Sequence, residues 1–306
     1  MKKKGLLNKY KMDFRRNKAL YLLFVPVILF YALFCYKPMY GAVIAFMDYR
    51  PARGISGSEW VGLENFARFF RSPYFERTLT NTLTINVLNL IFGFPAPIIL
   101  ALLLNEVKCS AFKRVTQTIT YLPHFISTVI VCGMITDFCL STGVFNDIIA
   151  FFGGTRSSLL MKNELYRPIY IISGIWQEIG WSSIIYLAAL SGVDQQLYEA
   201  AKIDGAGKWK QTIHVTLPGI MPVIIIQLIL RIGRMMSLGY EKTLLLYSEA
   251  TYEVADIIST FVYRQGLLQQ DYSYSTAVGL FNSVINCLLL FAANFISKRT
   301  TETSLW

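Results

Sequence analysis

The residues best suited to bind a polar molecule lie in two otherwise apolar stretches of the chain. One stretch, at 176–181, combines tryptophans with an amide and a carboxylate, and the other, at 227–234, combines an amide with two arginines. Ionisable side chains inside apolar helices are costly, so they usually face a cavity or another helix. The candidates are Trp176, Gln177, Glu178, Trp181, Gln227, Arg231 and Arg234. These residue types suit stacking and hydrogen bonding to a polar solute.

The second stretch predicts a single polar stripe. Gln227, Arg231 and Arg234 are spaced i, i+4 and i+7, which places them on one face of a helix. Arg231 lies roughly 20 Å along the axis from Pro218, and Glu178 lies roughly 15 Å from the outer end of its own apolar segment, so their depths are compatible. We predict that Arg231 or Arg234 pairs with Glu178. Either the pair belongs to a solute path, or it joins two helices while the arginines extend to the outer membrane interface.

The sequence offers little support for catalysis or metal binding. The chain has two histidines, and its five cysteines show no C-x-x-C spacing. We interpret His124 and His214 as structural residues. The stretch DGAGKWK resembles a phosphate-binding loop, but Lys202 and Trp209 stand where that motif requires glycine and Ser/Thr. The sequence therefore predicts no enzyme activity and no cofactor in this chain.

The composition is typical of a membrane protein. Hydrophobic residues make up 54% of the 306 residues and charged residues 16%, below the roughly 25% charged share of soluble domains. Apolar runs of about 18 residues or more predict membrane-spanning helices. They predict an all-α bundle with spans at about 19–46, 79–104, 115–140, 168–190, 219–238 and 273–296. The six-span domain covers 19–297, between a basic tail (1–18) and a C-terminal tail (298–306).

Lysine and arginine are unevenly distributed between the two sides that these spans would separate. The N-terminal tail, the loop 105–116, the segment 191–217 and the C-terminal tail hold 16 of the 29 Lys and Arg, and the longer loops of the other side hold 10. Positive residues accumulate on the cytoplasmic side of membrane proteins. We therefore predict a multi-pass protein of the cell membrane with both termini in the cytoplasm. The net charge of +10 reflects this topology, and no nucleic-acid-binding motif accompanies it.

A polar segment, 191–218, separates the fourth and fifth predicted spans on the cytoplasmic side. Asp194 is a suitable N-cap for a first helical arm, because its carboxylate can accept hydrogen bonds from backbone N–H groups. Gly205 and Gly207 are expected to end this arm, since glycine adopts the left-handed conformation without steric cost.

A second arm is predicted from Lys208 to Leu217, with apolar and threonine side chains on one face. Pro218 and Pro222 are expected in the first turn of the fifth span, where proline is tolerated. Two interpretations of the two arms stay open. They form either a solvated connector or a compact helix pair that docks into a groove of a partner.

The same segment resembles the EAA loop of permease subunits of binding-protein-dependent ABC importers, which follows the pattern EAA-x3-G-x9-I-x-LP. The matching residues are Glu199, Ala200, Ala201, Gly205, Leu217 and Pro218. Val215 replaces the isoleucine of the pattern, a small change in volume. The stretches YKPMYGAVIAFMDY, NEVKCSAFKRVTQTITYLPHFIS and YSYSTAVGLF are similar to oligosaccharide permeases of the LplB type, in the group that includes the maltose permeases.

The resemblance implies a six-span ABC importer transmembrane domain in a bacterial cell membrane, surrounded by lipid. Glu199 to Asp204 would form one arm of a coupling helix, bent at Gly205, that docks into a cytoplasmic ATPase dimer. ATP and magnesium would be used by that partner. The other implied partners are a second permease subunit in a heterodimer, an extracellular solute-binding protein that meets the loop 239–272, and an oligosaccharide substrate. Within this loop, we expect residues 257–263 to lie along the membrane surface.

In this interpretation, Trp176, Trp181 and Gln227 offer stacking and hydrogen-bonding surfaces to a sugar. The alternative function is that of an ion-coupled secondary transporter of a polar solute. Such transporters usually show internal repeats and broken helices near the membrane midplane. No repeat is apparent in the sequence, and the alternative leaves the EAA pattern without a role.

Overall fold

The chain folds into a bundle of long helices, and a computed structural model describes residues 12–14, 16–301 and 303–305. The helices are α1 (Lys18–Phe46), α2 (Glu64–Arg71), α3 (Pro73–Glu106), α4 (Ser110–Tyr121), α5 (Thr128–Cys139), α6 (Val144–Phe151), α7 (Asn163–Ser191), α8 (Gln195–Ile203), α9 (Lys208–Ile232), α10 (Tyr240–Leu246), α11 (Tyr252–Ala255), α12 (Ile258–Tyr263) and α13 (Tyr272–Thr301). The described residues also form 3₁₀-helices at Leu122–Phe125, Leu159–Met161 and Glu249–Thr251, and an antiparallel strand pair, β1 (Met47–Asp48) and β2 (Glu59–Trp60).

Several of the long helices continue through prolines. A π-turn precedes three of these prolines: Tyr31–Tyr36 before Pro38, Asn89–Gly93 before Pro95 and Thr212–Thr216 before Pro218, whereas Pro26 and Pro168 lie inside α1 and α7 without such a turn. Proline has no N–H, and its ring clashes with the carbonyl four residues earlier. A π-turn accommodates both effects because it shifts the backbone hydrogen bonds to i→i+5 spacing. The sequence predicted that Pro218 lies in the first turn of the fifth span. The helix instead begins at Lys208, and α9 passes through Pro218 and Pro222.

The third predicted span is interrupted. A 3₁₀ turn, Leu122–Phe125, separates α4 from α5. Pro123 prevents continuous α-helical hydrogen bonding here. Ser127 then caps α5, because its side chain accepts a hydrogen bond from the N–H of Ile130 at 3.4 Å. The prediction of one unbroken helix over 115–140 is wrong for this reason.

The all-α architecture is confirmed. Five helical segments of the described residues are long and apolar enough to cross a membrane: Lys18–Phe46, Pro73–Glu106, Thr128–Phe151, Lys208–Ile232 and Tyr272–Thr301. α7 has 29 residues, which is long enough to cross, but it contains the polar stretch 176–181. The count of six spans stays a prediction. α13 extends to Thr301, beyond the end predicted for the membrane domain at 297.

α7 runs through the centre of the bundle, where it packs along α3 and also contacts α4 and α9. A buried cluster joins α3, α7 and α9, and it contains Ile98, Ala101, Tyr186, Leu190 and Ile220. Close packing of this kind fixes the relative positions of the helices that carry the two polar stretches.

The segment 239–272 folds back onto the bundle. Ile257, Ile258 and Phe261 are at most 1% exposed, and Phe261 packs in a cluster with Phe69 of α2. The prediction that residues 257–263 lie along the membrane surface is therefore wrong. Their apolar side chains belong to the core because α12 packs against α13.

Asp256 anchors this segment through buried ion pairs. Its fully buried carboxylate accepts two hydrogen bonds from Arg264, both of 2.7 Å, and one from Arg77 at 2.9 Å. Burial opposes the charge on Arg264, but the hydrogen bonds to Asp256 outweigh burial and raise the pKa of the guanidinium. Arg167 donates instead to the Asn81 side chain and to a backbone carbonyl. Each of these three arginines therefore has a partner within the chain.

Candidate functional site

The first arm of the polar segment is the helix α8. The Asp194 carboxylate caps it by accepting a hydrogen bond of 2.9 Å from a backbone N–H in its first turn. Gly205 ends it with a φ of +75°, a conformation that costs other residues roughly 1–2 kcal/mol. The N–H groups of Gly205 and Ala206 bond back to α8 carbonyls at 3.0 and 2.8 Å, which is a Schellman cap. The predicted N-cap and glycine bend are confirmed, whereas Gly207 has a φ of −66° and begins the second arm.

The second arm is the beginning of α9 and not a separate helix. One hydrogen bond joins the two arms, and a second ties the second arm to the bend. The Tyr198 hydroxyl donates to Thr216 Oγ1 at 3.0 Å, and Gln211 Nε2 donates to the carbonyl of Ala206 in the bend at 2.7 Å. The arms therefore form one compact unit that continues directly into an apolar helix.

The outer surface of this unit is exposed and partly apolar. Ile203 is 87% exposed and Trp209 is 76% exposed. The face predicted for the second arm is divided, because Trp209 and Ile213 point outward while Thr216 is buried. Such exposed apolar side chains are typical of a surface that another protein covers.

The residues of the EAA pattern lie on both sides of the bend. Exposed are Glu199, Ala200, Asp204, Gly205 and Pro218, and half-buried are Ala201 and Leu217. Glu199 forms no ion pair with the part of the chain that the structure describes. Its carboxylate is therefore available to a partner.

The polar stretch of α7 lies against the break between α4 and α5. Gln177 Nε2 donates to the Ile126 carbonyl at 3.3 Å. The Glu178 carboxylate oxygens lie 3.0 and 3.2 Å from His124 Nδ1. The Trp181 ring stacks on the His124 ring, with the ring centroids 4.5 Å apart. Three neighbouring side chains of α7 thus hold the residues of the break.

Gly180 completes this contact. A Cβ at this position would overlap the backbone carbonyl of Thr120 in α4. Glycine therefore allows the backbones of α7 and α4 to approach directly. The break is fixed by backbone proximity as well as by side-chain contacts.

The predicted pairing of Glu178 with Arg231 or Arg234 is not observed. Among the described residues, the ion-pair partner of Glu178 is His124. An unbroken third span gives no reason to place His124 opposite an acid, so the sequence predicts only a structural role for His124. The available signal was Pro123, directly before His124, because proline marks a turn at which a polar side chain can leave the helix surface.

Gln227, Arg231 and Arg234 line a cavity of about 670 Å³, which we call the arginine cavity. Its lining also includes Asn86, Asn89, Trp181, Ser182 and Tyr186. Neither Arg231 nor Arg234 forms an ion pair or a side-chain hydrogen bond with a described residue. The arginine cavity therefore contains two positive groups without an ion-pair partner in the described chain, although the Glu178 carboxylate is near enough to favour the charge of Arg231.

A second cavity, of about 340 Å³, shares Arg231 and Asn89 with the first. We call it the lysine cavity, because Lys242 of α10 lines it together with Glu178. Lys242 Nζ donates to the Tyr170 carbonyl at 2.9 Å. The two cavities adjoin, so a solute in one is close to the charged groups of the other.

Arg234 lies in the turn that follows α9, and not on the helix as the spacing predicted. Asn286 of α13 holds this turn. Its Oδ1 accepts from the Met236 N–H at 2.8 Å, and its Nδ2 donates to Ser237 Oγ at 2.6 Å. The predicted stripe therefore ends one turn early, but Arg234 still lines the same cavity as Arg231.

The sequence interpretation included one residue that lines neither cavity and missed several that line them, among them two asparagines and a lysine. Trp176 is exposed and lines neither the arginine nor the lysine cavity. Asn86 and Asn89 were missed, although their i, i+3 spacing in an apolar span indicates a shared polar face. Lys242 gave no such signal, because it lies in a polar segment whose return to the bundle depends on tertiary packing.

Comparison with known proteins identifies the family. The inner membrane component of binding-protein-dependent transport systems matches residues 93–302, a region that includes both polar stretches and the segment 191–218. The chain belongs to this family.

Named relatives are similar over nearly the whole chain. It is 49% identical over 294 residues to the polygalacturonan/rhamnogalacturonan transport system permease protein YteP of Bacillus subtilis (strain 168), covering 95% of this chain and 91% of that protein. It is 47% identical over 293 residues to Protein LplB of the same strain, covering 95% and 92%.

A solved structure shares the fold. A chain in the crystal structure of a bacterial ABC transporter involved in the import of the acidic polysaccharide alginate has a TM-score of 0.88 and 43% sequence identity, covering 96% of this chain and 99% of that one. A second structure contains the alginate transporter in complex with an alginate pentasaccharide-bound periplasmic protein, with the same TM-score and identity.

The comparisons confirm the family that the sequence predicted, whereas the role of the EAA loop stays a prediction. The chain is a permease subunit of an ABC importer and a multi-pass membrane protein. ABC importer permeases work with a solute-binding protein and an ATPase. The family therefore decides between the two functions that the sequence left open, in favour of the ABC importer over the secondary transporter.

Proposed function

We propose that this permease translocates an oligosaccharide along a path that includes the arginine cavity. The supporting observation is the lining of that cavity, where aromatic rings and amides lie together. Trp181 and Tyr186 offer ring faces that suit the C–H faces of sugars, and Asn86, Asn89 and Gln227 offer partners for hydroxyl groups. The name of the relative YteP, a polygalacturonan/rhamnogalacturonan transport system permease protein, agrees with this class of solute.

The segment 191–218 is the coupling element in this proposal. Its exposed apolar side chains, Leu197, Ile203 and Trp209, enter the cleft of a cytoplasmic ATPase. Because α9 continues without a break from the second arm to Arg231, displacement of the arm moves the wall of the arginine cavity. ATP and magnesium are used by the ATPase, and this chain itself binds no cofactor and catalyses no reaction.

A second permease subunit is also part of the proposal. α1 has no buried residue before its final turn, Tyr40–Phe46, which packs against α13. An apolar helix that leaves its own bundle presents its whole circumference to its surroundings. We infer that the second permease covers one face of α1 in a heterodimer and that membrane lipid covers the other.

Both termini are cytoplasmic in this proposal. In support, Lys208 Nζ lies 2.7 Å from a Glu106 carboxylate oxygen. This contact joins two segments that the distribution of Lys and Arg assigns to the same side.

The orientation can be tested by labelling Cys109, which is exposed in the loop after α3. As the sole cysteine, it should react with a membrane-impermeant thiol reagent in inverted vesicles. Labelling in intact cells would contradict this orientation.

The source of energy gives the decisive experiment. ATP depletion should abolish oligosaccharide uptake, while an ionophore that dissipates ion gradients should leave it intact as long as ATP is maintained. Gly205→Val should reduce uptake roughly tenfold or more without loss of membrane insertion, because valine is strained at φ +75°. Gly207→Ala is the matched control, since its φ is ordinary and a Cβ there meets no atom within 4 Å. Uptake that survives ATP depletion would refute the proposal.

A further inference from the structure

We propose that the solute is an anionic oligosaccharide, whose uronic-acid carboxylates bind Arg231 and Arg234 in the arginine cavity. This inference rests on the proposed function and specifies the substrate class of the same site.

Arg231 and Arg234 have no ion-pair partner among the described residues. A charged side chain in a membrane-embedded helix needs compensation, because its surroundings solvate it poorly. Arg231 and Arg234 face the arginine cavity, and neither has an ion pair or a side-chain hydrogen bond with the described residues. The carbonyls at the C-terminal end of α9 favour a cation at Arg231, but their partial charge does not neutralise two guanidinium groups.

Other packed arginines of the chain differ, because each has a partner within the chain. Arg77 and Arg264 share the buried carboxylate of Asp256, and Arg167 donates to Asn81. Where an arginine holds the fold together, the fold therefore supplies its partner. The arginines of the cavity lack one, which is expected if a ligand brings the negative charge.

The described lining of the two adjoining cavities carries an excess of positive charge. Arg231, Arg234 and Lys242 supply three positive groups to their described lining, and the one carboxylate there, Glu178, lies against His124. A neutral sugar would leave this excess positive charge uncompensated. Guanidinium groups bind carboxylates through two parallel hydrogen bonds, and the ring of Trp181 can stack on the sugar.

Phosphate esters carry the same sign of charge, but the geometry favours carboxylates. The two arginines lie in successive turns of the chain, and they line one cavity together with groups suited to several sugar hydroxyls. An oligouronate carries a carboxylate on each successive residue, so it can engage both arginines at once. A single phosphate group would concentrate its charge at one of them.

The test uses the assembled transporter, with both permeases, the ATPase and the binding protein, in proteoliposomes supplied with ATP. The solutes are oligogalacturonates and oligomannuronates of two to five residues, their methyl esters, neutral oligosaccharides of the same length, and glucose 6-phosphate. The wild type should accumulate an oligouronate and exclude its methyl ester.

The variants Arg231→Gln and Arg234→Gln should each lower oligouronate uptake about tenfold or more, because the charge pair between an arginine and a uronate carboxylate is lost. Arg231→Lys should restore part of it, and Arg156→Gln, an exposed loop arginine, should have no effect.

Five results would overturn the inference. The first two are transport of the ester by the wild type as fast as the acid, and transport of the sugar phosphate in place of the uronates. The third is full uronate uptake by the glutamine variants, which would assign the charge preference to the binding protein. Glutamine variants that no longer co-purify with the second permease would show that the arginines pair with that subunit. Uptake restricted to neutral oligosaccharides would overturn the inference and leave the proposed function intact. A lack of ATP-dependent uptake for every oligosaccharide would instead count against the proposed function.

Discussion

The polar stretches of α7 and α9 resemble each other in composition, but they differ in how their polar groups are satisfied. In α7, Gln177 and Glu178 bind the break between α4 and α5, and Trp181 stacks on His124. In α9 and the turn after it, Arg231 and Arg234 face a cavity without a partner in the described chain.

This difference separates two roles of polar residues in a membrane bundle. A polar group that finds its partner within the chain stabilises a helix contact. A polar group that faces a cavity without a partner can stabilise a ligand, at a cost to the stability of the protein. The sequence interpretation left open whether the two stretches form a solute path or join two helices. In the structure, Glu178 and Trp181 of α7 make a helix contact and also line the cavities, whereas Arg231 and Arg234 line a cavity without an ion-pair partner in the described chain.

The sharpest test compares two arginines. Arg264→Gln should lower the free energy of unfolding by about 3 kcal/mol or more, because it removes one partner of the buried Asp256 carboxylate. Arg231→Gln should leave stability unchanged or raise it, because no ion pair is lost. Thermal unfolding of the purified transporter measures both. Equal losses in the two variants would remove the distinction between paired and unpaired arginines.

The contact of α7 with α4 can be tested through Gly180. Gly180→Ala should destabilise the protein by about 1–3 kcal/mol, because the added methyl group overlaps the Thr120 carbonyl and separates the helices. Gly133→Ala in α5 is the matched control, since a Cβ there meets no atom within 4 Å. If both variants unfold at the wild-type temperature, the break is not held by backbone proximity.

The turn that carries Arg234 depends on Asn286. Asn286→Ala should cost about 1 kcal/mol, since it leaves the Met236 N–H without its partner, and it should lower solute uptake by releasing the turn. Asn282→Ala, one helical turn earlier in α13, should have a smaller effect because its side-chain oxygen has no hydrogen-bond partner in the described structure. The reverse order of effects would show that Asn286 does not position Arg234.

The smallest expected effect concerns Glu178. A double-mutant cycle on His124 and Glu178 should give a coupling energy of about 0.5–1 kcal/mol, because both side chains are partly exposed and the charge is screened. The same cycle on Glu178 and Arg231 should give a smaller value, because the two side chains share a cavity but form no ion pair, and exchanging their charges should be no better than either single reversal. A large coupling between Glu178 and Arg231 would restore the pairing that the sequence predicted.

The elements that sequence reasoning found are those fixed by local chemistry. Asp194 caps α8 and Gly205 ends it because hydrogen bonds and steric limits act within a few residues. The apolar runs predicted long helices for the same reason, and the structure moved mainly their ends. Pro218 was misjudged, since a π-turn allows α9 to continue through it.

The sequence by itself determined the helical class, the bend at Gly205 and the identity of the polar residues in α7 and α9, and its charges predict the sidedness. Tertiary structure alone decided which polar groups meet. His124 reaches Glu178 because the third span breaks at Pro123, and Lys242 reaches the cavities because the segment after α9 folds back onto the bundle. Local spacing places a side chain on a face of its own helix, but the partner opposite that face depends on how distant helices pack, and this determines whether a charge is neutralised within the chain or left for a ligand.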